Sequence, residues 1–253
     1  MKALGSRKSA ASTRRRMMLP DGFSFQRSDW MSTGNGAVQS PTIFLVEQPA
    51  GSLLRPHFHR NNQFQVVVEG SGRIGRHEVK AGSVHYAGAY TGYGPVVAGP
   101  EGLSYFTIRS AFEIGALFVE ESRHLLPAGP RYQTYGQAPE IAAEVVGNEV
   151  VVRPCIARQD DDLDAIAVDV PADVTYLPPS PAAAGQFLLV LQGAIQVGSS
   201  LLERWESAYA DASEPGQIIT ASIDAKVLVL QMPALHRCFR GMPAGCPRGP
   251  PPA

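Results

Sequence analysis

The sequence predicts an all-β protein built from two copies of one unit, and three observations carry that expectation. Twenty-five glycines and twenty-one prolines among 253 residues cut the chain into short pieces, a composition of strands and turns rather than long helices. Short apolar runs recur from one end to the other, several with alternating polarity. Finally, the chain matches itself at an offset of 123 residues. Leu54, Pro56, Gln63, Phe64, Val67, Gly70 and Gly75 then meet Leu177, Pro179, Gln186, Phe187, Val190, Gly193 and Gly198, and Tyr86, Ala87 and Ala89 meet Tyr209, Ala210 and Ala212.

The strands of the first unit are expected at 42–48, 52–58, 64–69, 72–79, 83–87 and 103–109. Those of the second are expected at 165–170, 174–179, 186–192, 194–198, 206–210, 217–221 and 226–232. Segments 121–126 and 201–205 are the only expected short helices. The first unit then covers 20–119 and the second 151–235, with 120–150 as a connector broken by prolines and glycines. Residues 1–19 carry six basic residues before Asp21 and lack an apolar signal core. They read as a disordered basic tail, with a natural start near Met17 or Met18. Residues 236–253, rich in proline and glycine, read as a second unpacked tail.

Composition narrows the function classes. Hydrophobic content of 44% with 18% charged residues fits a soluble globular chain. A net charge of -1 argues against a general nucleic-acid binder, which needs a basic field. No apolar run approaches the ~20 residues of a membrane span, so no membrane partner is expected. Cys155, Cys238 and Cys246 have no metal-type spacing and leave one odd thiol, which suits a reducing, cytoplasmic setting.

Chemistry concentrates in the first unit. His57 and His59 lie two apart, so on an extended strand both imidazoles leave the same face. Gln63 and Gln65 alternate along the next apolar run, and His85 follows. Neutral imidazoles suit Zn, Fe, Ni, Cu or Co, and an amide adds an oxygen. The second unit has Ser180, Ala182 and Ala208 where the first has His57, His59 and His85. One ion per chain is therefore expected, in the N-terminal unit, while the second unit serves stability and dimer contact.

The spacing from Gly51 through His57, His59 and Gln63 to Gly70, followed by Gly82 and His85, resembles the two motifs of the cupin family. That family has Glu where this chain has Gln63, and often Asn where it has Ala89. The resemblance implies two tandem jelly-roll barrels, a bicupin, with a metal at the open end of the first. His57, His59 and His85 would hold the metal. Gln63 either completes the ligand set or hydrogen-bonds the barrel wall. Fe(II) is favoured, with Zn, Ni and Mn as alternatives.

Three neutral imidazoles and an amide leave the ion its full charge, which favours an anionic substrate. Arg55, sharing strand parity with His57, is expected to pair with a substrate carboxylate, or else to form a rim salt bridge. Tyr90 and Tyr93, on a glycine-rich loop, are candidates for lid or proton donor. The leading expectation is an Fe(II) dioxygenase acting on a small anionic, enolisable or phenolic molecule. The alternatives are a non-oxidative lyase or isomerase using Zn, Ni or Mn with a tyrosine base, and a non-catalytic ligand-binding protein. A homodimer is expected, with a monomer as the alternative.

Overall fold

The computed structural model describes residues 1–33, 40–113, 115–141 and 144–240. Thirteen strands carry the architecture: β1 (Lys2–Gly5), β2 (Arg15–Met18), β3 (Ser24–Ser32), β4 (Thr42–Gln48), β5 (Gln63–Ile74), β6 (Ser83–Ala87), β7 (Val96–Arg109), β8 (Gln133–Gln137), β9 (Val151–Ile156), β10 (Asp164–Val170), β11 (Gln186–Val197), β12 (Ser207–Ala210) and β13 (Ile219–Gln231). They form two antiparallel sheets, ordered β8-β6-β5-β7-β4-β3-β2 and β1-β12-β11-β13-β10-β9, with shorter strands paired at their margins.

The two sheets repeat one register. Gln63 faces Ala87 and Gln65 faces His85 across β5 and β6. Gln186 faces Ala210 and Leu188 faces Ala208 across β11 and β12, each position displaced by the 123 residues of the sequence repeat. Gly70 and Gly193 repeat as well, at φ 75° and 76°. A Cβ on Gly70 would stand 2.2 Å from the Gly102 carbonyl, and one on Gly193 2.0 Å from that of Asp224. Only glycine fits a left-handed turn so close to a neighbouring backbone.

Alternation sorts each strand between two environments. Phe64 and Val66 on β5, Phe106 and Ile108 on β7, and Phe187, Leu189, Leu228 and Leu230 of the second sheet form one core between the sheets. The opposite face of the second sheet buries Val168, Leu188, Val190, Ala208, Val227 and Val229, all apolar. The opposite face of the first begins apolar, with Val67, Ile74, Leu103 and Tyr105, and ends polar, with Gln63, Gln65, His85, Thr107 and Arg109 all buried. That polar end holds His85 and faces the segment that carries His57 and His59.

The basic N-terminus is not a loose tail. β1 pairs with β12 in the second sheet, a seven-residue helix follows at Arg7–Thr13 capped by Ser6, and β2 pairs with β3 in the first sheet. Arg14 and Arg15 meet Glu47 and Asp29, which explains how a run of three arginines can be ordered. The connector is likewise partly sheet, because β8 pairs with β6. At the other end Phe239 is buried against Tyr90, while 241–253 lie outside the described residues. Segment 119–125 is helical as expected, but 200–203 is a strand paired with β11. Trp205 packs between the sheets, 6.2 Å from Trp30 and 6.1 Å from Phe106, rather than inside the second unit.

Candidate functional site

The site is the polar end of the first sheet, closed by segments on either side. Pro56 interrupts the expected strand 52–58, leaving only Leu53–Leu54 and His57–Phe58 extended. Tyr93 bridges to His57 through both backbone hydrogen bonds, each 3.0 Å. This brings the Tyr93 ring among the three histidines, with centroids 4.5 Å from His57, 6.3 Å from His59 and 5.0 Å from His85.

One directed chain of hydrogen bonds links these groups. Arg109 Nε and Nη2 donate to Gln63 Oε1 at 3.0 and 2.8 Å. Gln63 Nε2 in turn donates to the Tyr93 hydroxyl oxygen at 2.5 Å. His57 Nδ1 lies 2.8 Å from the Arg55 carbonyl, so its proton sits there, and Nε2 accepts from the Tyr93 O–H at 2.8 Å. Each assignment follows from what a carbonyl, a phenol and a neutral imidazole can donate.

His59 Nδ1 stands 3.0 Å from Arg109 Nη2 and 3.6 Å from Glu113 Oε1. The longer distance is not a hydrogen bond, so the guanidinium is the partner and the proton rests on Nε2. Glu113 instead accepts from the backbone N–H groups of Arg60 and Asn61, fixing the turn that follows His59. Burial alone would raise its carboxyl, but His59, Arg109 and the Arg60 N–H outweigh that and hold it at about 2. His85 Nδ1 lies 2.8 Å from Gln65 Oε1, and Nε2 3.3 Å from Gln133 Oε1. Tyr135 stacks on the ring at 4.5 Å.

Burial keeps the imidazoles neutral. It pushes His57 down to about 3, with neighbouring His59 disfavouring a second proton there, and His85 down to about 4. His59 moves the same way, from burial and then from Arg109. Burial raises Tyr93, so the phenol keeps its proton until something takes it.

The sequence candidates divide accordingly. His57, His59, His85, Gln63 and Tyr93 converge. Arg55 does not: its guanidinium pairs with Asp21, Glu120 and Glu121 at the rim and lies over the Phe118 ring. Tyr90, at φ 58°, turns its ring into a separate cluster with Phe58 and Phe239. Gln63 serves as the relay between Arg109 and Tyr93, because its amide oxygen is taken by the arginine. Arg109, Glu113 and Tyr135 escaped the sequence reading. The one signal for Arg109 was its parity with Tyr105 and Thr107 on an otherwise apolar strand.

For a metal, the donor chemistry fits. Three buried neutral imidazoles gather at this end alone, and two of their lone pairs meet O–H or N–H donors where a cation would be welcome. As the side chains stand, the set is a ring about Tyr93 rather than a closed one: among the described residues no three His, Cys, Asp or Glu converge on a point.

The open side of the site is a cavity of about 120 Å³. His57, His59, Tyr93, Gln65, Thr107 and Arg109 form one wall, and Met17, Leu19, Phe23, Phe25, Arg27 and Phe44 face them. Part of that opposing wall comes from the N-terminal segment expected to be disordered.

No family model matches the chain. Among curated proteins, dimethylsulfoniopropionate lyase DddW of Ruegeria pomeroyi is 35% identical over 83 residues, 30% of this chain and 54% of the lyase. The chain thus spans about half of that relative. Among solved structures, the pirin YhhW of Escherichia coli, in complex with nickel(II), superposes with TM-score 0.58 at 15% identity, covering 92% of this chain and 99% of the pirin. Oxalate decarboxylase OxdC of Bacillus subtilis gives TM-score 0.57 at 11% identity, covering 89% and 76%. A structure of that decarboxylase is described by its Mn(II) centres. The repeated register and these likenesses together give the chain the bicupin fold, two cupin barrels in tandem.

Proposed function

We propose that this chain is a metal-dependent bicupin lyase that removes a proton from carbon beside a carboxylate, with Tyr93 as the base. The observation that carries the reading is the Tyr93 hydroxyl, held between the Gln63 N–H and the His57 lone pair at the edge of a ligand-sized cavity. With His57 Nε2 left for the ion, Tyr93 would give up its proton to solvent before turnover and, as a phenolate held by the Gln63 N–H, take the proton from substrate carbon. The electron pair released forms a carbon–carbon double bond, and the bond to a leaving group on the next carbon breaks. Gln63 fixes the direction of the Tyr93 proton, and Arg109 fixes Gln63. His57, His59 and His85 would hold the divalent ion, which supplies Lewis-acid stabilisation of the negative charge that develops. This is the non-oxidative alternative of the sequence reading, and the similarity to a lyase over 83 residues favours it over the oxygenase.

The test is turnover of short β-substituted carboxylates under argon, with the unsaturated acid as the measured product. Tyr93→Phe should lower the rate by about 10²–10⁴, the usual weight of a general base. Oxygen consumed in proportion to turnover, or a Tyr93→Phe protein of undiminished rate, would overturn the proposal.

A further inference from the structure

Arg109 is 3% exposed. Its hydrogen-bond partners are an amide oxygen and an imidazole nitrogen, both neutral. Among the described residues no carboxylate lies within 4.0 Å of it. The nearest candidate, Glu113, is turned to the backbone of Arg60 and Asn61. A buried guanidinium with no carboxylate in direct contact is costly, and a fold that keeps one beside a cavity gains when an anion enters.

Other parts of the cavity restrict that anion. Arg27, the second guanidinium in the wall, is already neutralised by Asp29 at 2.7 Å and covers the Phe44 ring at 3.7 Å. Phe44 is therefore not open to a second cation on that face. The remaining surface is Met17, Leu19, Phe23, Phe25, Val46, Leu54 and Tyr105, which offers no charge to a second ionic group. At about 120 Å³ the cavity lies well below the ~300–1,000 Å³ of pockets for drug-sized ligands, so the ligand it takes is a small one.

We infer that Arg109 is the carboxylate-binding residue of this site, and that the ligand is a short monocarboxylate whose remaining body is uncharged and apolar. The inference rests on the proposed lyase reading for the neighbouring base, but it concerns binding and is tested by binding alone. A forked guanidinium suits a carboxylate, and Arg109 reaches the cavity beside Tyr93. The head group is thereby placed next to the atom that takes the proton. The apolar wall then selects the body, in the direction away from the histidines.

The probes are butanoate, butanamide and 3-(trimethylammonio)propanoate, titrated by calorimetry into the protein as isolated and into Arg109→Gln and Arg109→Lys at equal metal content. Butanoate should bind the wild type, with butanamide at least tenfold weaker and the ammonio acid also weaker. Arg109→Gln should lose butanoate affinity by about 100-fold, and Arg109→Lys should recover part of it. Butanoate should also raise the wild-type melting temperature, a readout that needs no variant to fold. The Tyr93→Phe protein should still bind butanoate, so failure of the proton-transfer reading and failure of this one are separable. Equal binding of amide and carboxylate, butanoate affinity unchanged in Arg109→Gln, or tighter binding of the ammonio acid would each overturn the inference.

Discussion

The same register positions carry opposite contents in the two barrels. At the end of the first, Gln63, Gln65, His85 and Arg109 are buried together and joined by hydrogen bonds between side chains. At the equivalent end of the second, Gln186 and Gln231 are accompanied by Asp164, paired opposite Gln231, with Leu188 and Ala208 in place of Gln65 and His85. Gln231 accepts from the Ala182 N–H and donates to the Ser180 carbonyl, the two positions matching His59 and His57. Gln186 donates to the Pro179 carbonyl, and its own oxygen is buried without a partner. The two amides of one end close on their own backbone, whereas the other end buries a guanidinium and several lone pairs that a ligand would complete. The difference teaches that burial depth does not mark a site; a mismatch between buried charge and its partners does.

Making the first barrel resemble the second should have the largest effect. His57→Ser/His59→Ala/His85→Ala should bring metal, measured by elemental analysis, from one equivalent to background and remove turnover, since every imidazole donor is gone. A full equivalent retained would show that the ion sits elsewhere.

Acid should separate the barrels next, because the segment 151–235 contains no histidine. An unfolded imidazole takes a proton near 6.5, whereas buried His85 does so only near 4, so between those values the unfolded state binds more protons. The contribution of His85 is complete above pH 6.5 and drains away as pH falls towards 4, by up to roughly 3 kcal/mol. Hydrogen exchange on chelator-treated protein should show β5 and β6 losing protection across that window while β11 and β12 keep theirs, and His85→Gln should flatten the response. Simultaneous opening of both barrels would break the distinction.

On the other side of the comparison, Gln231→Ala should cost about 1–3 kcal/mol in urea denaturation, because the Ala182 N–H is left unpaired in a dry site. A cost near zero would mean that water reaches that end. Gln63→Glu should have the smallest effect on stability and a clear one on binding. The new carboxylate neutralises Arg109, so butanoate affinity should fall about tenfold, equivalent to ~1.4 kcal/mol. An unchanged affinity would separate Arg109 from ligand binding.

Much of this was legible in the sequence because it is local or repeated. The offset of 123 residues located both sheets, and its gaps at Ser180, Ala182 and Ala208 placed the histidine cluster in one barrel. What stayed hidden arrives from far along the chain. Arg109 comes from the end of β7, Glu113 from the turn beyond it and Tyr135 from a strand in the expected connector. Arg55 takes the rim salt bridge that the sequence left open beside substrate binding, because Pro56 breaks the strand and parity does not carry from Arg55 to His57. Tyr90 misled because a left-handed backbone turns its ring towards Phe239. The N-terminal arginines looked unpaired only because Glu47 and Asp29, their partners, are supplied by other strands.

The pairing of β1 with β12 has a consequence for the order of assembly. Residues 2–5 leave the ribosome long before the strand they join, which ends at Ala210. During synthesis that segment must wait for some two hundred residues to be made, and closing so long a loop is slow compared with local pairing. Met17, Leu19 and Phe23, which wall the cavity, hang from the same segment. Those wall residues, though, belong to β2 and the turn into β3, strands that pair within their own sheet, so the pocket can close early, and only the attachment of β1 to the second sheet waits for the end of the chain.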